Sequence, residues 1–329
     1  MQNRQFETKA TVEAGILSAL ILILMLTTAY VPFFSFLNIL LPVPITVLYL
    51  RYNYKVSLGA VAVSGILVAI FYDPISSLGT SISYGLTGLT LGYCIKKEIK
   101  AAKTICFMAL ASGIGLICNF LLLTFLATPD GFNGFVKMLN STINRFNETM
   151  AYMKDFYFKL GINEKQREML NQAMQPITME MIKSILLASF TIASFGSAII
   201  NYFTARAILK KLRYKLVEVK PFSELYISEK VGFAIAVLAL LAMGLQGSKI
   251  ALGKYLIVSV IYIITIVFVI EGLAVATYFL KNKFKLPKVV IVLIIIFTIM
   301  QFQFFYVIIG VVDMIMDFRK VNPNRLFKK

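Results

Sequence analysis

The stretch Tyr255–Leu280 reads YLIVSVIYIITIVFVIEGLAVATYFL, and Glu271 is its only charged residue. A helix of about 20 apolar residues crosses the ~30 Å hydrocarbon core of a bilayer. Because lipid offers the backbone no hydrogen-bond partners, an apolar run of this length must be helical. The stretch therefore predicts a transmembrane helix. Its one acid lies about 15 Å along the helix axis from Lys281, near the middle of the membrane.

The rest of the chain repeats this pattern of long apolar blocks and short basic loops. Hydrophobic residues make up 59% of the 329 positions, and the mean hydropathy is +0.80. Soluble domains contain roughly 45–50% apolar residues. We therefore predict an all-α, polytopic integral membrane protein. The predicted spans are Ala14–Tyr30, Phe34–Leu50, Ser57–Tyr72, Leu78–Cys94, Thr104–Leu126, Ile182–Leu209, Val231–Leu245 and Tyr255–Leu280.

The last apolar block, Val289–Met316, can form one helix or two. One helix of this length would be ~42 Å long, which is too long for a single span without strong tilt. Gln301 and Gln303 lie near its middle, where a turn would fall. We favour the hairpin, which gives about ten transmembrane helices, with a range of eight to ten.

The net charge of +17 arises from basic residues clustered in the loops. Most of the 33 Lys and Arg residues fall on one side of the predicted spans, which the positive-inside rule assigns to the cytoplasm. Both termini are then cytoplasmic. The loop pattern argues against nucleic acid as a partner and favours the lipid bilayer, whose anionic headgroups attract such loops.

Several chemistries lack the residues that they need. The chain has no histidine, and Cys94, Cys106 and Cys118 form no CxxC pair, so they are predicted to be small buried hydrophobic residues. Neither a P-loop nor an HExxH motif is present. We therefore expect no metal, no cofactor and no recognisable enzyme active site.

The spans predict four segments of chain. Residues 1–210 form a six-helix membrane half, and 127–180 within it form an outer amphipathic cap. Residues 211–230 are a basic cytoplasmic linker, and 231–329 form a second half of about four helices. In the cap, an apolar stripe predicted to face inward comprises Phe132, Phe135, Leu139, Ile143, Phe146, Met150 and Met153, and Ile162, Asn163 and Gln166 predict a helix start.

Glu271 is the strongest candidate for a ligand or proton site, because an acid at mid-membrane is costly and should face protein or a water-filled cavity. The alternative is a carboxyl group that only hydrogen-bonds between helices. Ser83 and Thr87 of span 4 and Asn119 of span 5 could line a polar cavity with it. Close helix packing is again the alternative for span 4, which is rich in glycine and hydroxyl residues.

Small residues also predict helix docking. Ala14 with Ser18, and Gly15 with Ala19, form small-xxx-small pairs in span 1, and Gly85 and Gly88 lie on the thin face of span 4. At the C-terminus, GVVDMIMDFRK (Gly310–Lys320) places Asp313 and Asp317 four residues apart, close to Arg319. We predict that these three charges lie at the cytoplasmic interface, as an anchor or as a docking point for a partner.

The proline-bearing second span and the ending Gly310-x-x-Asp313-x-x-x-Asp317-Phe318-Arg319-Lys320 resemble the YybS-like family of bacterial membrane proteins. That family is related to the substrate-capture subunits of energy-coupling-factor transporters. The resemblance implies a bacterial plasma membrane protein whose first helix docks on a membrane partner through Ala14, Gly15, Ser18 and Ala19. The long segment after span 5 and the helices after span 6 depart from the pattern of those subunits.

Two functions fit these observations best, and an intramembrane enzyme is a third and weaker alternative. The first is binding or transport of a small solute, with Glu271 as the buried acid. The second is a membrane scaffold or regulator that recruits partner proteins through its basic cytoplasmic loops and does not transport anything.

Overall fold

The structure, a computed structural model, describes residues 2–128, 130–246 and 251–321, and within these ranges it contains helices and no strand. The basic residues expected at 249 and after 321 lie outside the described ranges. By packing, the described chain divides into two compact units. Unit 1 contains residues up to 179 and 190–218, and unit 2 contains 180–189 and residues from 219 onward.

Unit 1 is built from the first seven α-helices and most of the eighth. A 3₁₀-helix, Pro32–Leu40, follows α1, and a π-helical turn, Leu123–Ala127, follows α5. The helices are α1 Gln2–Tyr30, α2 Pro42–Arg51, α3 Tyr54–Phe71, α4 Pro74–Lys96, α5 Ala101–Leu122, α6 Gly131–Lys159, α7 Glu164–Ala173 and α8 Met179–Lys211.

Unit 2 contains the start of α8 and four further helices. A 3₁₀ turn, Phe222–Glu224, precedes them. They are α9 Glu229–Gln246, α10 Ala251–Asn282, α11 Lys288–Gln301 and α12 Gln303–Met316.

Six helical segments of the described chain are long and apolar enough to cross a membrane. They are Thr8–Tyr30, Pro32–Arg51, Tyr54–Phe71, Ala101–Leu126, Met179–Lys211 and Tyr255–Asn282. The 23-residue α4 is not among them, because its glycine, serine and threonine residues lower its hydropathy. The apolar part of α9, Lys230–Leu241, is shorter than a full span. The expected count of about ten spans stays a prediction, as does the side on which each terminus lies.

The last apolar block is not one straight helix. It breaks at Phe302, between the two glutamines that predicted a turn, and the axes of Lys288–Ile299 and Gln303–Met316 are bent by 112°. This geometry fits either a broken span or a re-entrant loop. The amide of Phe302 donates to the carbonyl of Thr298, and the carbonyl of Phe302 accepts from the amides of Phe305 and Tyr306, so α11 ends and α12 begins at this residue.

The core of unit 1 explains the small residues of α4, which packs against α2, α3 and α5. A Cβ at Gly85 would lie 2.9 Å from the Val61 side chain of α3. At Gly88 it would lie 2.7 Å from the Pro42 carbonyl oxygen of α2. Both glycines therefore serve close packing within the chain, which accords with the packing interpretation of span 4.

Local signals of helix ends are largely confirmed. The second span is split into the 3₁₀-helix and α2, and Pro42 and Pro44 lie at the start of α2. The side chain of Asn163 accepts a bond from the amide of Gln166, which returns one to Asn163, so the capping box of α7 is present. The side chain of Asp73 caps α4 by accepting a single bond from the amide of Ser76, at 2.6 Å.

Two expectations about burial are wrong in part. In the cap, Ile143 is buried and Phe135, Leu139 and Met150 are half-buried, but Phe132, Phe146 and Met153 of the predicted inward stripe are exposed. The reason is that α6 packs against little more than the end of α5 and α7. Among the cysteines, Cys94 is buried and Cys118 is half-buried, whereas Cys106 lies on the exposed face of α5.

Asp73 generates a prediction about acid stability. The backbone amide of Ser76, as the main cause, lowers the pKa of the Asp73 carboxyl below its usual value. A carboxyl whose pKa is lower in the folded state stabilises the fold above its unfolded pKa of about 4 and loses that effect as pH falls through the folded pKa. We expect amide exchange in the first turn of α4 to accelerate below about pH 4 in the wild type.

The variants Asp73→Asn and Asp73→Ala provide the controls. Asparagine keeps a capping oxygen without titrating, so its exchange should be nearly independent of pH after correction for intrinsic rates. Alanine should show fast exchange at every pH. The exchange rates are measured by hydrogen–deuterium exchange with mass spectrometry. The same pH profile in the wild type and in Asp73→Asn would contradict the prediction.

Candidate functional site

The closest helix contact in unit 2 joins α10 and α12, and two glycines make it possible. A Cβ added to Gly272 would collide with the backbone carbonyl of Tyr306, and one added to Gly310 would collide with that of Phe268. The two backbones therefore touch, as at other small-residue crossings in membranes. Glu271 lies next to one glycine, and Asp313 lies one turn after the other, so the crossing brings the two acids together.

Arg319 lies between these two carboxylates. Its Nη2 donates to Glu271 Oε1 at 2.6 Å and to Asp313 Oδ2 at 2.8 Å, and its Nε donates to the same Asp313 oxygen at 3.0 Å. The side chains of Arg319 and Glu271 have no solvent exposure, and that of Asp313 is 2% exposed. We call Glu271, Asp313 and Arg319 the charge cluster.

A turn at the end of α12 carries Arg319 back to the cluster. Asp317 ends the helix in the left-handed conformation (φ 44°), and Lys320 is also left-handed (φ 55°). The Asp317 side chain accepts a bond from the amide of Val321 at 2.9 Å and is itself buried. Asp317 therefore stabilises the turn that orients Arg319, while Lys320 is exposed.

The cluster also holds the segment that precedes α9. Nη1 of Arg319 donates to the backbone carbonyl of Ser223 at 2.9 Å, inside the 3₁₀ turn Phe222–Glu224. Three parts of unit 2 thus meet on one guanidinium: α10, the end of α12, and the linker before α9.

Charge in the cluster is unequal, since two carboxyl groups face one guanidinium. Oε2 of Glu271 and Oδ1 of Asp313 are buried without a hydrogen-bond partner in the described part of the chain. When both acids are ionised the cluster has one negative charge in excess, and such a charge is costly inside a membrane protein. One bound proton would neutralise this excess charge.

The other predicted ligand residues lie in unit 1, where they are tightly packed. The hydroxyl of Ser83 donates to Gly79, and that of Thr87 donates to Ser83, both within α4. Asn119 of α5 fills the space beside Gly79, where a Cβ would come within 2.7 Å of its amide nitrogen. Ser83, Thr87 and Asn119 thus lie near one another in unit 1, whereas Glu271 belongs to unit 2.

The small residues of α1 divide between two faces. Ser18 is buried and donates to the carbonyl of Ala60 in α3 at 3.2 Å, and Ala14 packs on the same core. Gly15 and Ala19 are exposed, and a Cβ at Gly15 would meet no atom within 4 Å. The first pair therefore docks within the chain, and the second pair is open.

A cavity of ≈230 Å³ lies in unit 1 among α4, α5, α8 and the segment after α8. Arg206 closes one side by donating to the carbonyl of Val217 at 2.6 Å. Glu98, Thr104 and Lys215 supply further polar groups to the lining. The cavity is large enough for a small polar solute, and the sequence did not single it out.

The sequence placed Arg319 near Asp313 but did not connect it with Glu271. The two residues are far apart in the chain, and only the crossing of α10 and α12 brings them together. Ser223 contributes a backbone oxygen, so no side-chain signal could have identified it. The expected cytoplasmic interface group is buried, since Asp313, Asp317 and Arg319 are all at most 6% exposed.

Residues 19–314 match a family described as "Predicted membrane protein (DUF2232)". The match covers Glu271 and Asp313 and stops before Arg319. No curated protein and no solved structure matches the chain.

The glycine crossing predicts a large effect of one methyl group. Gly310→Ala places a Cβ against the backbone of α10, which cannot move as a flexible side chain would, so we expect a loss of about 1–3 kcal/mol or more in the free energy of unfolding. Gly15→Ala is the matched control, because its Cβ has open space. Thermal unfolding in detergent measures both, and equal melting temperatures would contradict the close approach.

The charge cluster predicts an order of destabilisation among its variants. Arg319→Leu leaves two buried carboxyl groups without a counter-ion and should cost about 3–5 kcal/mol. Glu271→Gln should cost much less, because one carboxylate then remains for one guanidinium. The triple variant with Arg319→Met, Glu271→Gln and Asp313→Asn should recover most of the loss, and failure to recover would contradict an electrostatic origin.

Proposed function

The chain belongs to the DUF2232 family of predicted membrane proteins, and from this premise we propose that it binds or transports a small solute. In this proposal the charge cluster is a proton-linked switch. The observation that carries the proposal is the burial of two carboxyl groups against one arginine. Ionisable residues inside membrane-spanning helices are rare and usually mark ion or substrate pathways.

The mechanism follows from the shared guanidinium. A proton bound by Glu271 removes the excess negative charge and weakens the bond from Arg319 Nη2. Arg319 then keeps its bonds to Asp313 and to the Ser223 carbonyl. A shift of the guanidinium therefore also moves the linker before α9, which contains Ser223. Protonation is thereby transmitted from the buried helix pair to a segment outside the membrane-spanning helices.

The solute site is proposed to be the cavity of unit 1. Arg206 and Lys215 would attract a small anion, and its volume excludes large ligands. The packed group of Ser83, Thr87 and Asn119 is a weaker candidate, because its hydroxyls already donate within α4 and its glycines leave little space.

By resemblance to substrate-capture subunits, the protein would act together with a membrane partner in the bacterial plasma membrane. The open pair Gly15 and Ala19 on α1 supports this part of the proposal, because small residues allow a second helix to approach closely. The cytoplasmic loops would then face any soluble partner.

A second candidate function is a membrane scaffold or regulator that does not transport. It is favoured by the complete burial of the Glu271 side chain and by the close packing of α4. In this case the cluster fixes the C-terminal turn and the linker in place for partner proteins.

One experiment separates the two functions. The purified protein is screened for thermal stabilisation by amino acids, carboxylates, nucleosides and vitamins, at pH 6 and at pH 8. A ligand at 100 times its Kd stabilises the folded state by about 2.7 kcal/mol. Solute binding predicts at least one stabilising compound whose apparent affinity depends on pH.

Variants of two acids then test the role of the cluster. Glu271→Gln should abolish the pH dependence of binding, whereas Glu148→Gln, an exposed acid on α6, should retain it. Proton uptake or release on binding, recorded with a pH-sensitive dye in weak buffer, is the direct measurement. No stabilising compound in the panel would favour the scaffold, and unchanged pH dependence in Glu271→Gln would remove the switch.

A further inference from the structure

A long apolar groove lies between α3 and α4 on the surface of unit 1. It has a volume of ≈510 Å³ and is lined by one face of α3 from Leu58 to Ala69 and one face of α4 from Pro74 to Leu89. We call it the α3–α4 groove. Its floor is closed, because a Cβ at Gly65 would lie 2.7 Å from the Ser81 hydroxyl. The groove therefore offers a ligand apolar surface and no deep opening between the helices.

The length of the groove is that of a lipid chain. From its first to its last lining residue it extends about 17 Å along α3 and about 22 Å along α4. These lengths exceed the ~15 Å that one leaflet contributes to the hydrocarbon core and fall short of the ~30 Å that a complete transmembrane helix would cover. One extended acyl chain matches this surface better than a partner helix does.

A second, polar pocket lies at the level of the lipid headgroups. Its volume is ≈360 Å³, and we call it the tyrosine–lysine pocket after its lining residues, Tyr49, Asn53, Tyr54, Tyr93, Lys96 and Lys97. The apolar span Pro32–Arg51 ends beside it, and the span Tyr54–Phe71 begins there. Tyrosine and lysine are the residue types that membrane proteins place at the lipid–water interface.

The pocket and the groove lie on the same faces of the same two helices. Tyr54 precedes the first groove residue of α3, Leu58, by four positions, and Tyr93 follows the last groove residue of α4, Leu89, by four. Residues four apart share one face of a helix. Lys96, which is seven positions after Leu89, belongs to that face as well. A charged end is therefore continuous with an apolar length.

Contacts within the chain hold the charged end in place. Tyr49 packs on Gly92 of α4, where a Cβ would lie 2.6 Å from the Cβ of Tyr49. One turn later, Lys96 Nζ lies 5.8 Å from the centre of the Tyr49 ring and donates to the Tyr52 carbonyl at 3.5 Å. The six lining residues include two cations and no acid, so the pocket attracts an anion.

We propose that an anionic phospholipid occupies this surface, with its phosphate at Lys96 and Lys97 and one acyl chain in the α3–α4 groove. A free phosphate would leave the apolar groove unused. A zwitterionic lipid would bring a second cationic group beside the two lysines. The distribution of basic residues predicts that this end of the helices is cytoplasmic, where anionic lipids attract lysine. The proposal does not rest on solute binding or on the charge cluster.

Tryptophan fluorescence tests the site directly, because the chain contains no tryptophan. Ile66→Trp places one in the groove, and Leu110→Trp places one on α5, where the native residue is similarly exposed (66% against 61%). Each variant is reconstituted in mixed vesicles of phosphatidylglycerol and phosphatidylcholine, with bromine as a quencher on the chains of one lipid. At Ile66→Trp we expect a preference of about fivefold or more for phosphatidylglycerol. Leu110→Trp should show none.

Neutral variants of the two lysines test the headgroup contact. In the Ile66→Trp background, Lys96→Gln with Lys97→Gln should bring the preference for phosphatidylglycerol close to one. Lys210→Gln with Lys211→Gln removes the same charge from the end of α8, outside the pocket, and should leave the preference unchanged. A preference that survives in the first pair would overturn the proposed phosphate site.

Two other outcomes would also overturn the proposal. Equal quenching by both brominated lipids in the groove would mean that ordinary bilayer lipid covers it. Absence of quenching there, with normal quenching of Leu110→Trp, would mean that a protein segment covers it. Leu58→Trp, at the pocket end of the groove, is the second reporter in case the ring at position 66 fills the groove itself. A preference at either groove position supports the site.

Discussion

Unit 2 depends on a single guanidinium that is shared by two buried acids. Arg319 bonds to Glu271, Asp313 and the carbonyl of Ser223, so one side chain joins two helices and a linker. Buried ion pairs contribute little net stability compared with apolar residues of the same size, but removing one partner is costly. The cluster therefore specifies which arrangement of α10, α12 and the linker forms, more than it stabilises the helices themselves.

This ion cluster can form only because the helices approach so closely. Gly272 and Gly310 allow the two backbones to touch, and without that contact one arginine could not reach carboxyl groups on both helices. In lipid there is no hydrophobic force to bring apolar helices together, so packing of small residues must supply the association. Unit 1 uses the same principle along α4, where glycines receive the side chains of Val61 and Ile45.

The sequence predicted those features that are set by local patterns. Apolar block length predicted the helices, Asn163 and Gln166 predicted the start of α7, and Gln301 and Gln303 predicted the break at Phe302. It could not predict contacts that depend on how helices cross. The link between Arg319 and Glu271 is of this kind, and so is the exposure of Phe132 and Phe146, which depends on what α6 meets.

The excess negative charge of the cluster lies where almost no solvent reaches the side chains, so it bears on protonation as well as on stability. An ionised carboxyl without a counter-ion is tolerated in a membrane protein only if something can neutralise it, and a proton is the smallest such species. Because the same arginine also holds the linker at Ser223, the proposed protonation of Glu271 would change the balance of bonds on that linker. One acid for one arginine would suffice for a structural anchor, and the proposed switch gives a role to the second acid.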